Sequence, residues 1–312
     1  MSALRWNPML GEWVIVAPNR GQRPFQQEDQ ECPFCGLQVD GRSDWRTLTI
    51  DNKYPALATD GGVVPLDERI VMEAPAYGLS KVILLSPAHD EQIEGMGQDQ
   101  LEAVVNEYIH TFDDLDRRKG IKYVMVFENR GKAVGVSLNH PHAQVYALPF
   151  IPPRIQQEIH QTKRMWEDEN LCLICETIGN EQKSGERIIS ESDNYLSLMP
   201  FAPRLPYEVH VYPKKHVPTI VELKDTALEL GLMLQDTIKR YSRVFDETAY
   251  VMALHSRPSR GDHDYWHFHV EFYPPWRSRS ELKHLAGIEL GAGAFTNDTL
   301  PEEVAKELKE VL

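Results

Sequence analysis

Apolar and polar positions along the chain follow two rhythms. Leu101, Val104, Val105, Tyr108, Ile109, Phe112 and Leu115 recur at steps of three and four, one face of a helix, and Arg117-Arg118-Lys119-Gly120 ends that run with cations and a glycine. A comparable helix is predicted from about Glu222 to Phe245. Short apolar runs at Lys81-Val82-Ile83-Leu84-Leu85, Val145-Tyr146-Ala147-Leu148, Glu208-Val209-His210-Val211-Tyr212 and Tyr250-Val251-Met252-Ala253-Leu254 read as strands. Phe150-Ile151-Pro152-Pro153 breaks the chain, and a helix begins near Arg154. A final helix is signalled by Thr299 as cap, Pro301 in its first turn, and Glu302 and Glu303 at the positive dipole end. Strands flank helices in the same order twice. The pattern predicts an α+β fold of two tandem duplicated units, 1–153 and 154–312, each a mainly antiparallel sheet with flanking helices and an open strand order.

Composition narrows the picture. The 312 residues suit two domains of ordinary size, and no apolar run approaches the ~18 residues of a membrane span. Met1-Ser2-Ala3-Leu4-Arg5 lacks the build of a secretory signal, so a cytoplasmic protein is expected. The formal charge of −14, with no basic stripe, argues against a nucleic-acid partner, while small phosphorylated ligands remain compatible with a few arginines and backbone amides.

All four cysteines lie in two C-x-x-C units, Cys32/Cys35 and Cys172/Cys175. Such pairs serve as metal ligands or redox dithiols, and the histidines decide between them. His89 and His140 stand 51 residues apart after the first pair, His216 and His267 stand 51 apart after the second, and both histidines are offset by the same 127 residues. Each set is a Cys2His2 group suited to tetrahedral zinc, giving an expectation of two zinc ions per chain. Asp51-Asn52 and Asp193-Asn194 extend the apparent repeat beyond the ligands.

His142 follows His140 by two residues, so in an extended segment both project to one side, one free to bind metal while the other faces a substrate. Pro141 places them at a strand start or edge, and Gln144 should share the face of His142. An isolated H-x-H pair is better read as two zinc ligands or two satisfied polar residues. Here the segment Phe127-Glu128-Asn129-Arg130-Gly131-Lys132-Ala133-Val134-Gly135-Val136-Ser137 precedes it, and its glycines, amide and hydroxyl suit the holding of phosphate oxygens.

Through this segment, His140-Pro141-His142-Ala143-Gln144 and the opening Trp13-Val14-Ile15-Val16-Ala17-Pro18-Asn19-Arg20-Gly21-Gln22-Arg23-Pro24, nearly the whole chain resembles the galactose-1-phosphate uridylyltransferases, a branch of the histidine-triad superfamily. The resemblance implies that His142 attacks UDP-glucose, releases glucose 1-phosphate and passes UMP to galactose 1-phosphate, with Gln144 and Ser137 holding phosphoryl oxygens. It implies Arg20, Arg23, Asn52, Asn129 and Gly135 as nucleotide- and phosphate-binding residues. It also implies a homodimer in which a C-terminal segment, with Lys283 and Glu289, completes the partner's site. The first Cys2His2 set matches the family's structural zinc. The second matches a two-zinc branch that includes an ADP-glucose phosphorylase, so adenylyl transfer from ADP-glucose to phosphate is the alternative. Other members carry iron on one glutamate and three histidines; Glu158, His255 and His269 match three of these positions, and Glu271 stands at the fourth. His269 lies 127 residues after His142, and Glu271 replaces Gln144, which reads as a degenerate copy lacking its own nucleophile. A nucleotidyl hydrolase is disfavoured by Gln144, and a zinc-knuckle binding module leaves the segment from Asn129 to Gln144 without a purpose.

Overall fold

The computed structural model describes residues 2–22, 32–38, 44–59, 70, 72–136 and 138–312. Its centre is one antiparallel sheet of nine strands. In spatial order these are β3 (Leu48–Asp51), β5 (Leu79–Leu84), β7 (His142–Leu148), β6 (Tyr123–Arg130), β11 (Tyr250–His255), β12 (His269–Tyr273), β10 (Val209–Pro213), β9 (Tyr195–Leu198) and β8 (Ile188–Glu191). The halves join where β6 pairs with β11, Arg130 opposite Tyr250 and Val126 opposite Leu254. Outward from that seam the order is β6-β7-β5-β3 on one side and β11-β12-β10-β9 on the other, so the duplication is written into the topology, with β8 added at one edge. A separate sheet pairs β1 (Ala3–Asn7) with β2 (Glu12–Val16) and β4 (Glu73–Pro75).

Alternation along the strands divides the sheet into two faces. Ala143, Val145 and Ala147 of β7, Val124 and Val126 of β6, Met252 and Leu254 of β11, and Val270 and Phe272 of β12 bury into one core. α1 (Gln98–Asp116) and α4 (Ala227–Val244) cover that face. All seven residues of the stripe from Leu101 to Leu115 are buried, which accounts for the helix better than propensity does. Truncating Phe112, 1% exposed, to alanine would cost about 3–5 kcal/mol. The two helices approach closely because Gly231 lacks a side chain; a Cβ there would lie 3.1 Å from that of Leu101.

The opposite face differs between the halves. In the second half it is roofed by α2 (Pro153–Glu169) and α3 (Leu173–Ser184), through the clusters Tyr123, Ile155, Tyr265, Trp266 and Ile178, Leu196, Leu198, Tyr212. In the first half the small sheet packs only at one end, where Leu4, Ala74 and Ala76 meet Leu148 and Phe150. This leaves the start of β7 beside a cavity.

Three local expectations change. The helix expected from Glu222 opens as a tight 3-10 segment, Ile220–Thr226, capped by the Thr219 hydroxyl accepting from the Val221 amide, and becomes α-helical only at Ala227. The last helix (Pro301–Glu310) starts after Leu300 with no side-chain cap; the Thr299 hydroxyl instead donates to Asn297 Oδ1 at 2.8 Å. Asp51 and Asn52 lie where β3 ends, whereas Asp193 and Asn194 precede β9, the corresponding strand, so these two pairs are not equivalent positions of the repeat.

Candidate active site and metal centres

Each C-x-x-C unit is met by its two histidines, and the two sets are built alike. Cys32, Cys35, His89 and His140 bring four donor atoms within 4.8 Å of one another, as do Cys172, Cys175, His216 and His267. His89 Nδ1 lies 3.3 Å from Cys35 Sγ, and His140 Nδ1 lies 3.7 Å from it. In the second set His267 Nδ1 is 3.4 Å and His216 Nδ1 3.7 Å from Cys175 Sγ. The far nitrogens donate to carbonyls: His140 Nε2 to Ser86 O at 2.8 Å, His267 Nε2 to Pro213 O at 2.8 Å, and His216 Nε2 to Trp266 O at 2.9 Å. Ser86 and Pro213 are themselves 127 residues apart. With their far nitrogens satisfied, these rings present Nδ1 to the thiols, a donor set fitted to zinc. The Cys175 thiol, hydrogen-bonded to Cys172, pushes Cys172 down to about 4, so one sulfur is a ready thiolate.

His142 is the first residue of β7 and lies half-buried next to this frame. Its Nδ1 donates to the His140 carbonyl at 2.8 Å, which leaves Nε2 with an unshared pair. Burial pushes the ring below its ordinary value, against the pull of the His140 carbonyl, and favours neutral imidazole. Phe34, inside the first C-x-x-C, packs its ring 5.7 Å from His142. The ring thus faces a cavity of about 410 Å³ lined by Asn129, Lys132, Asn139, Glu247 and Thr248 among others.

Gln144 and Tyr146 share the face of His142, as alternation requires, and Gln144 lies opposite Phe127 across the β6–β7 ladder. The Gln144 amide has no hydrogen-bond partner within the described residues. Arg20 reaches the same face, donating to the Tyr146 hydroxyl at 2.6 Å. Asn129 lines the cavity. Gly135, at φ +77°, closes the 3-10 turn Lys132–Val134, with its amide bonded to Lys132 O. Asn52 Oδ1 accepts from the Tyr54 amide at 2.9 Å in a local turn. Arg23 and Ser137 lie outside the described residues.

Lys283 and Glu289 form a cluster of their own, apart from the cavity lining. The Lys283 ammonium is 3.5 Å from Glu289 and 3.3 Å from Asp298, while the Thr296 hydroxyl holds the Glu289 carboxyl down to about 2. Phe34, Tyr146, Gln92 and Glu247 were missed from sequence. Tyr146 was within reach through its two-residue spacing from Gln144; Glu247 carries no sequence signal.

At the corresponding place in the second half, His269 Nδ1 donates to the His267 carbonyl at 3.0 Å, repeating the His142 geometry. Its surroundings are reversed. Glu158, His255, His269 and Glu271 cluster together, and Glu271 also faces His210 at 3.4 Å. Arg154 donates to Glu158 at 3.0 Å and to Glu271, so a guanidinium already supplies positive charge between the carboxylates. Burial alone would lower His269, and Glu271 beside it outweighs that, so this imidazole is pushed up.

A duplicated sheet carrying two Cys2His2 sets, the first beside a cavity-facing imidazole whose Nε2 is uncommitted, is an arrangement fitted to nucleophilic chemistry at histidine. The two family models named galactose-1-phosphate uridyl transferase, N-terminal domain and C-terminal domain, match residues 41–152 and 156–312. The chain belongs to this family. The galactose-1-phosphate uridylyltransferase of Thermotoga maritima is 38% identical over 315 residues, covering 99% of this chain and 98% of the relative. A solved uridylyltransferase structure superposes with a TM-score of 0.90 at 33% identity, covering 100% of this chain and 98% of that one. The ADP-glucose phosphorylase of Arabidopsis thaliana is 28% identical over 335 residues, covering 99% of this chain and 92% of the relative.

Proposed function

We propose that this chain transfers UMP from UDP-glucose to galactose 1-phosphate through a covalent adduct on His142. One observation carries the mechanism: Nδ1 is committed to the His140 carbonyl, so Nε2 is the free nucleophile. Nε2 attacks the α-phosphorus, the bond to the bridging oxygen breaks, and glucose 1-phosphate leaves with that oxygen. A phosphate oxygen of galactose 1-phosphate then attacks the phosphorus, the N–P bond breaks, and UDP-galactose departs with the imidazole restored. Imidazole suits both steps, being a competent nucleophile and, once phosphorylated, a competent leaving group near neutral pH. Gln144 and Asn129 hold phosphoryl oxygens as charge moves, with Ser137 in the same role and Gly135 shaping the turn beside them. Arg20 and Arg23 meet the diphosphate, and Asn52 the uridine.

In this reading Cys32, Cys35, His89 and His140 hold one zinc and Cys172, Cys175, His216 and His267 a second. Four protein ligands close each site, so the metal fixes the backbone that carries His142 and takes no part in bond making. The same reading has a cytoplasmic homodimer in which Lys283 and Glu289 serve the partner's hexose phosphate, with the seam of the duplication at 153/154. Thiols kept as ligand pairs suit a reducing compartment.

Incubation with radiolabelled UDP-glucose, followed by isolation of acid-labile labelled protein, tests the mechanism. Absence of an adduct, or one that survives His142→Ala, overturns it. The paired zinc ligands and the similarity to a phosphorylase favour a second reading, adenylyl transfer from ADP-glucose to inorganic phosphate; labelling from ADP-glucose in preference to UDP-glucose would select it.

A further inference from the structure

We propose that Glu247, supplied by the second half, is a positioning residue for the first half's chemistry: it holds the glycine-rich segment in place beside His142. The proposal rests on the reading of His142 as nucleophile. β6 and β11 cease pairing at Arg130 opposite Tyr250, and beyond that point the two chains stay in contact. Glu247 Oε1 accepts the Lys132 backbone N–H at 2.6 Å. That amide opens the 3-10 turn Lys132–Val134, where a helical start leaves donors without partners in the turn itself. Gly131 precedes it at φ +93°, and a Cβ there would lie 2.5 Å from Ala249 Cβ and 3.0 Å from Glu247 Oε1. The two backbones therefore touch, in a conformation that glycine adopts readily.

Glu247 and Thr248 line the same cavity as Asn129 and His142. The far end of the segment is tied from the first half, where Gln92 Nε2 donates to Asn139 O at 2.8 Å. The segment is thus held at one end by each half. The second half thereby fixes the cavity-lining segment of Gly131, Lys132 and Val136 beside His142.

A carboxylate at this lip repels an anionic substrate, so the useful property of Glu247 is its acceptor oxygen and not its charge. Glutamine keeps that oxygen; alanine and methionine do not. The experiment measures single-turnover adduct formation from UDP-glucose on the full-length zinc-loaded protein, with KM, melting temperature and zinc content alongside. Glu247→Ala and Glu247→Met should each slow adduct formation at saturating UDP-glucose by at least about tenfold, with a smaller change in KM and parental melting and zinc content. Glu247→Gln should restore the rate to within about threefold of the parent. Parental rates in the alanine and methionine variants, or an equal loss in the glutamine variant, would overturn the proposal. A parent protein that forms no adduct would instead overturn the His142 reading, and this proposal with it.

Discussion

His142 and His269 occupy corresponding positions on one sheet, and their surroundings make opposite use of them. Both donate Nδ1 to the carbonyl of a metal-set histidine two residues earlier. His142 opens onto a cavity, its ring is driven toward neutrality by burial, and its next neighbour on the face is an uncharged amide, Gln144. His269 lies beneath α2 and lines a second cavity, of about 320 Å³, whose wall includes Glu158 and Glu271, and its next neighbour Glu271 pushes the ring toward the charged form. An imidazole drawn toward its charged form is the weaker nucleophile, and a carboxylate in place of the amide repels phosphate. Duplication preserved the frame, and the exchange of amide for carboxylate, with Glu158, His255 and Arg154 gathered around it, gives the two imidazoles opposite surroundings.

The sharpest way to break this contrast is to remove each imidazole in turn. His142→Ala should abolish the labelled adduct and lower turnover by at least about 10⁴-fold, because no other group carries the bond-forming pair. His269→Ala should leave adduct formation intact and act on folding alone. Equal losses of activity from both variants would show that the halves are not divided as argued.

Importing the second half's residue into the first sharpens the comparison. Gln144→Glu should slow adduct formation about 100-fold by placing a carboxylate against the phosphoryl oxygens. The reciprocal Glu271→Gln should confer no adduct on His269 and should lower the melting temperature, since Arg154 and the histidines around it then face one buried negative charge fewer. Retention of parental rates by Gln144→Glu would remove Gln144 from the site.

The metal sets divide in the same way. Cys35→Ser should lower zinc from about two ions per chain to about one and reduce activity about 10–100-fold through the loosened His140 carbonyl. Cys175→Ser should lower zinc equally and reduce the melting temperature, with adduct chemistry near the parental rate. Metal analysis with adduct assays separates these outcomes, and two zinc ions per chain in either variant would disprove the ligand assignment.

What sequence could foretell follows from the range of each signal. Cysteine and histidine spacings, the repeated 127-residue offset and the helical stripe of α1 are visible because ligand chemistry and periodicity leave marks on single positions. The β6–β11 seam is different: its register, Phe127 opposite Ala253, joins residues far apart in the chain, and many strands with the same alternation would pair equally well. For the same reason the roles of Glu247 and Arg154 leave no mark on the sequence. Each acts on a distant partner, Lys132 in one case and Glu271 in the other, and neither stands in a local pattern. Thr299 misled because its hydroxyl had a nearer acceptor in Asn297, a competition decided only once the loop is folded.

The smallest expected effect comes from the seam itself, where Glu128 of β6 and Tyr250 of β11 meet beneath the core face. Tyr250 donates to Glu128 Oε1 at 2.9 Å, while Oε2 has no partner among the described residues. Burial pushes this carboxyl up to about 7 from an ordinary 4.5, despite the Tyr250 hydrogen bond and the nearby Arg130. A folded-state value above the unfolded one means that the folded protein holds a proton the unfolded chain has released. The associated stability is fully present below about 4.5 and is lost as pH rises to about 7. Glu128→Gln keeps an acceptor for Tyr250 and has no proton to lose. Relative to the parent it should therefore gain stability with rising pH, by up to about 1.4 kcal/mol per pH unit across that window, and level off above it. Urea denaturation of both proteins from about pH 5 to about pH 8 reads the difference directly, because titrations elsewhere in the molecule cancel. Parallel curves would mean that the seam joins the halves without a buried proton at Glu128.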